Sequence, residues 1–159
     1  MRLSARVDYA LRAMAELAAE PEHPRTVDDL ATAQGIPAKY LESILGSMRR
    51  AGLLRSQRGP DGGFRLARPT GSISIADVIR AIDGPLATFR GERPEDLHYA
   101  GAAEPLQQVW IALRASERAI LDEVTLEHIA SGTMPERVRT LSADKASWDR
   151  ALHDPVSWT

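Results

Sequence analysis

The chain has 159 residues, a formal charge of −2 at neutral pH and no cysteine. That length suits one domain with an appended element, and it is enough to bury a core without covalent staples. The absence of thiols excludes a disulfide framework, a thiolate zinc site and a cysteine nucleophile, which removes the best candidates for catalysis and metal ligation.

Near the start, Arg2, Arg6, Asp8 and Arg12 interrupt any apolar run, so no secretory signal forms. No later stretch is apolar for long enough to span a bilayer, and the expectation is a soluble, cytoplasmic protein. Ser4 can cap a first helix whose apolar face is Val7, Ala10, Leu11, Met14, Leu17 and Ala18 and which ends before Pro21. Asp8, Arg12 and Glu16 line its opposite face at four-residue intervals.

Thr26 followed by Asp29 has the form of a capping arrangement, and Val27, Leu30 and Ala31 then give a short helix stopped by Gly35. The turn Gln34-Gly35-Ile36-Pro37 joins it to a second helix, with Ile36 plugging the angle between them. Pro37 suits the first turn of that helix. Tyr40, Leu41, Ile44, Leu45 and Met48 recur at helical spacing until Gly52, leaving Ala38, Lys39, Glu42, Ser43, Arg49 and Arg50 to face outward.

After Gly52 the period changes to two. Leu54 and Ser56 alternate with Arg55 and Gln57, the run Arg58-Gly59-Pro60-Asp61-Gly62-Gly63 interrupts, and Phe64, Arg65 and Leu66 resume the alternation. This is a hairpin in which Pro60 presets the turn, Gly62 or Gly63 takes the positive φ, and Arg58 is held at the tip. Between Lys39 and Arg68 seven basic residues face two acids, a local charge of +5 on an acidic chain. A basic surface of this kind, on a helix followed by a hairpin, is the footprint of a nucleic-acid reader.

Ser74 with Asp77 caps a further helix bearing Ile75, Val78, Ile79 and Ile82, which Gly84 and Pro85 end. Residues 85–104 lack a period and read as a loop, in which Phe89, Leu97 and Tyr99 either form a lid or pack. From Pro105 to about Ala130 a stripe of Leu106, Val109, Trp110, Leu113, Ile120, Leu121 and Val124 predicts a helix of about 39 Å at ~1.5 Å per residue. That is longer than the small core can cover, so a partner helix is implied; folding back on the first helix would leave much of the stripe exposed, the two contacts can coexist, and Thr125 can break the helix by capping a separate final turn. Residues 132–159 have mixed charge, and a short helix from Ser142 to about Leu152 could bury Trp148 and Leu152. Residues 1–84 carry a net +2 and residues 85–159 a net −4, which puts any DNA face in the first half.

The opening MRLSARVDYALRAMAELA, with IPAKYLESIL, AGLLRSQRGPDGGFRLARP and SIADVIRAIDG, resembles the IscR/NsrR/CymR-type winged-helix repressors of bacteria, the Rrf-two family. The likeness is close over roughly the first 84 residues and looser along the helix after Glu104. It implies a mainly α fold, a winged helix-turn-helix with a two-stranded β wing (1–84), a connecting loop at the sensor position (85–104), a dimerisation helix (105–131) and a tail (132–159). It also implies double-stranded DNA as partner and a homodimer joined through the stripe just named. Cluster-binding relatives carry three cysteines in the connecting loop and, in some, an acidic ligand from the first helix. This chain has no thiol for such a cluster, Asp8 is explained by pairing with Arg12, and His98 stands alone, so neither a cofactor nor a metal is assigned.

The four histidines are scattered, no nucleophile elbow or HExxH accompanies them, and GPDGG lacks the ending of a phosphate loop, so no enzyme is expected. The expected function is a sequence-specific transcriptional repressor with an unidentified effector. The alternative is a winged-helix protein-interaction module without specific DNA binding. The expected DNA contacts are Ala38, Lys39, Tyr40, Glu42, Ser43, Arg49 and Arg50 on the helix and Arg58, Gly59, Gly62 and Gly63 at the wing.

Overall fold

Residues 3–86 and 88–148 are described by a computed structural model of the chain. Helix α1 (Ala5–Ala19) is the hub, and α2 (Val27–Gln34), α3 (Ala38–Arg50) and α4 (Ile75–Asp83) pack around it. Between α3 and α4 lies an antiparallel hairpin of β1 (Leu54–Gln57) and β2 (Gly63–Leu66), with Leu54 opposite Leu66 and Gln57 opposite Gly63. Then come α5 (Leu106–Leu121), α6 (Leu126–Ser131) and α7 (Glu136–Ala143). The architecture is mainly helical with a two-stranded wing, as the sequence predicts.

The local signals act through identifiable bonds. The Ser4 hydroxyl accepts from the Val7 amide, while Thr26 with Asp29 and Ser74 with Asp77 form reciprocal capping boxes. Thr26 donates to the Asp29 carboxylate and holds its pKa below the ordinary value. Gly35 takes the left-handed conformation that stops α2, and its neighbour Ile36 is buried in the angle before α3. Pro37 lies one residue earlier than the first turn, as the cap preceding Ala38.

One core runs through the winged-helix unit. Met14 and Leu17 of α1, Leu30 of α2 and Leu41, Ile44, Leu45 and Met48 of α3 are buried together with Leu54, Leu66 and Val78. Leu126 of α6 belongs to the same core and is 0% exposed. Of the two readings of 105–131, one continuous helix or a break at Thr125, the structure has the break. The chain breaks after Leu121, Thr125 caps α6 through His128, and α6 turns back onto α1. Backbone bonds from Ile75 N–H to Val124 O and from Leu126 N–H to Ile73 O, both 2.9 Å, stitch the return to the start of α4. Val124, expected on the dimer stripe, is buried by this return.

The tail also differs. Helix α7 ends at Ala143, near where the predicted terminal helix was to begin, and a single 3-10 turn follows at Lys145–Trp148. Trp148 is 74% exposed, with its indole N–H donating to the Ser142 carbonyl rather than entering a core. Leu152 lies outside the described residues.

The wing is also fastened through its backbone to the segment before α2. Phe64 exchanges both backbone hydrogen bonds with Arg25 (2.8 and 3.0 Å), so the segment before α2 acts as a one-residue third strand. Gly63 makes this docking possible: it has φ +153°, and a Cβ there would stand 2.5 Å from the Arg25 carbonyl oxygen. Gly63→Ala is therefore expected to cost about 1–3 kcal/mol in backbone strain alone and to loosen the wing. Chemical denaturation would read the cost, and amide exchange at Phe64 would read the loosening. An unchanged midpoint with a protected Phe64 amide would contradict this account.

Candidate nucleic-acid interface

On α3, Lys39, Tyr40, Glu42, Ser43, Arg49 and Arg50 are exposed, whereas Ala38 is half-buried against the core. Two positions depart from expectation. Ala38, read as outward, closes the gap behind Pro37. Tyr40, read as part of the apolar face, is 41% exposed, with its ring edge-on to Tyr9 of α1 at 5.7 Å. An aromatic ring has enough surface to rest one edge on a neighbour while showing the other to solvent. Tyr9 was invisible in the sequence reading because it falls off the apolar spacing of α1. Its own ring carries the Arg12 guanidinium at 5.6 Å, and Arg12 reaches in turn to Gln34 and Asp8.

The hydroxyl of Ser43 donates to the Tyr40 carbonyl, leaving its oxygen as an acceptor. Glu42 has neither a hydrogen bond nor an ion pair through its side chain among the described residues. At the other end of the helix Arg50 reaches Ser47, and Arg49 reaches the Ser56 hydroxyl at 3.3 Å, which ties α3 to the wing strand. Both arginines sit in the last turn, where cations are favoured by the helix carbonyls.

The wing tip, residues 58–62, is exposed apart from Gly62. It is built on two glycines at positive φ, Gly59 at +110° and Gly63, while Gly62 has an ordinary φ. Gly62 is nonetheless required, because a Cβ there would lie 2.5 Å from the Gln57 carbonyl oxygen across the neck of the loop. Arg58 stands at this tip without an acidic partner among the described residues.

The seven cations counted in the sequence are not equivalent. Arg65 turns back to Glu22, donating to its carbonyl at 2.8 Å with the carboxylate 3.8 Å away, and Arg68 pairs with Asp77 at 3.6 Å. Lys39, Arg49, Arg50, Arg55 and Arg58 remain exposed and without an acidic partner among the described residues. The free positive charge of this segment is thus smaller than the sequence count and lies on α3 and the hairpin.

On α5 the predicted stripe divides in two. Leu106, Val109 and Leu113 are 40, 52 and 41% exposed, Leu113 at the edge of the gap between α5 and the body, and Ile120 continues their row half-buried. Trp110 and Leu121 instead face inward, Leu121 against the cluster of Val7, Ala76, Ile79 and Leu86. Counting apolar residues could not separate these faces because the inward one is completed by polar side chains, Gln107, Arg114 and Glu117.

Those polar side chains clamp the connecting segment. Gln107 donates from its amide to the carbonyl of Leu97 at 2.7 Å and to that of Glu95 at 3.1 Å. Trp110 donates to the Tyr99 hydroxyl and packs its ring on Phe89, 4.5 Å between centroids. Arg114 pairs with Glu95, whose carboxyl is held below the ordinary carboxylate range by its own backbone N–H and by this guanidinium. Of the three apolar residues named in the segment, Leu97 is buried and Phe89 and Tyr99 pack on Trp110.

The donors on hand do not fit an iron–sulfur cluster. Such clusters need soft thiolate ligands and the chain has none. His98 is exposed, with Nδ1 at 2.8 Å from the Asp96 carbonyl, and Asp8 pairs with Arg12. Among the described residues no three His, Asp or Glu side chains gather closely enough to hold a metal ion, and no helix is long and apolar enough to cross a membrane.

Residues 3–132 match the Rrf2 family, described as an iron-dependent transcriptional regulator. A Mycobacterium tuberculosis protein described as an HTH-type transcriptional regulator is 48% identical over 154 residues, 96% of each chain. The HTH-type transcriptional regulator CymR of Bacillus subtilis is 32% identical over 139 residues, 86% of this chain and 95% of its own. The solved structure of B. subtilis CymR, described as the global cysteine regulator, superposes with a TM-score of 0.71 at 31% identity, covering 84% of this chain and 98% of that one. That of IscR from T. potens gives 0.63 at 28%, covering 92% and 90%. These relatives are regulators, not enzymes.

Proposed function

The chain belongs to the Rrf2 family of transcriptional regulators, and on that premise we propose that it is a homodimeric repressor that binds a promoter sequence-specifically and occludes it. The observation that carries this reading is the set of five exposed, acid-free cations on α3 and the wing of a chain whose net charge is −2. Cations not already neutralised by the protein are the ones that can replace counterions on phosphate. The first turns of α3 present Lys39, Tyr40, Glu42 and Ser43 to the major groove, and Arg49 and Arg50 meet the backbone. Gly59, Gly62 and Gly63 keep the tip narrow enough for close approach of Arg58. Leu106, Val109, Leu113 and Ile120 form the seam between two copies, so that two α3 helices read two half-sites.

The roles of Glu42 and Arg58 separate in one experiment: selection of bound fragments from random DNA, followed by titration of the best site and of random duplex against salt. A carboxylate accepts from cytosine in the major groove, so Glu42→Ala is expected to relax preference at one base position of each half-site. Arg58→Ala is expected to weaken the selected site more than random DNA, because an arginine held on a stiff tip reads minor-groove width and potential. A pure phosphate contact would instead weaken both equally and flatten the salt slope by ~0.9. If the wild-type chain enriches no sequence at all, the operator reading is wrong.

A further inference from the structure

Where the chain leaves α4 and crosses α5, a cavity of about 270 Å³ opens between the winged-helix body and the long helix. This is near the lower end of the range for small-molecule sites, ~300 Å³. Ile79 and Leu86 of the body, Phe89 of the connecting segment and Leu113 of α5 give it apolar walls, and Asp83 and Glu117 interrupt them.

The two carboxylates are differently placed. Asp83 accepts from the Ser4 hydroxyl at 3.0 Å. Glu117 has one carboxylate oxygen, Oε2, buried without a hydrogen-bond partner among the described residues. An unpaired buried acceptor is costly, the more so when charged, and no arginine, lysine or histidine lines the cavity among the described residues to relieve it. An anion would meet two like charges there, and a purely apolar guest would leave the Glu117 oxygen unpaired.

We propose that this cavity binds a small organic cation, an ammonium or guanidinium on a short apolar body. The charged head meets Glu117 and Asp83, and the body lies against Leu86 and Phe89. The site is built from the body, the connecting segment and α5 at once, so a guest bridges the parts that carry the DNA face and the exposed seam. Binding itself does not depend on the operator reading.

The test is calorimetric titration of the full chain with phenethylamine, its neutral isostere 2-phenylethanol and the anion phenylacetate. The amine is expected to bind at least about tenfold more tightly than the alcohol, the difference a charge-assisted hydrogen bond supplies, with phenylacetate weakest. Glu117→Gln keeps the shape of the cavity and removes its charge, so it is expected to abolish the amine's advantage. Thermal melting of the variant checks that it folds; if it does not, Asp83→Asn takes its place, with a partial loss expected. Equal affinity for amine and alcohol, an unaltered preference in the charge-removed variant, or no binding of any probe would overturn the proposal.

Discussion

Replacing Val109 and Leu113 together by glutamate is expected to turn the proposed dimer into a monomer and to cost operator affinity by a factor of 10²–10⁴. Val109 and Leu113 are about half exposed in the single chain, so the substitutions leave its core intact. In a two-fold seam, however, the two together would place four carboxylates against apolar surface and against one another, and uncompensated charge in an interface is strongly unfavourable. The loss on DNA follows from geometry. When two readers are linked, the second binds at an effective concentration far above that free in solution, and about 10²–10⁴ in affinity disappears with the link. Light scattering at micromolar concentration reads the mass, and titration of a selected site reads the affinity. A native chain that is already monomeric, or a double variant that stays dimeric, would remove α5 as the seam. A monomeric variant with unchanged affinity would instead show that each half-site suffices.

Leu126→Ala is expected to destabilise the winged-helix unit by about 2–5 kcal/mol, although residue 126 lies beyond the helix that leaves that unit. Its side chain has no exposure and shares a core with Met14, Leu17 and Ile73. The cost has two parts, the lost transfer of the isobutyl group from water and the cavity left among neighbours that are themselves fixed in helices. Urea unfolding followed by circular dichroism measures it. A change below about half a kcal/mol, typical of surface sites, would mean that α6 merely rests on α1. Leu141, half exposed on α7, is a matched control expected to show no more than that.

Local chemistry was legible wherever partners are close in sequence. Ser4, Thr26 and Ser74 cap what they were expected to cap, and Gly35 stops α2, because each bond closes within a few residues. The hairpin was legible for the same reason, from its alternation and its glycines. What could not be read were relations set by distant chain. Arg65 and Arg68 carry the same charge as Arg55 and Arg58 on paper, but Glu22 and Asp77 arrive from elsewhere to neutralise them. Tyr40 fits a helical apolar face by spacing, yet the ring opposite it comes from α1. The apolar positions of α5 serve two surfaces, and only the fold reveals that Gln107, Arg114 and Glu117 complete the inner one. Folding back on the first helix and a break at Thr125 were both readable, but not that it is the short helix after the break, through Leu126, that joins the first core.

That return has a topological consequence. The chain leaves the body at Gly84 and comes back by Val124, and the Arg80–Asp122 ion pair, 2.8 Å, stands beside this doorway. Everything between is an excursion with neighbouring ends, tethered at both feet like the handle of a jug. Such a handle can be lengthened, shortened or given different side chains while the vessel keeps its shape, because both attachment points belong to the same wall. It also cannot swing freely: a push at its far end is resolved into torque at two adjacent anchors, one on α4 and one entering α6, and α1 packs against both.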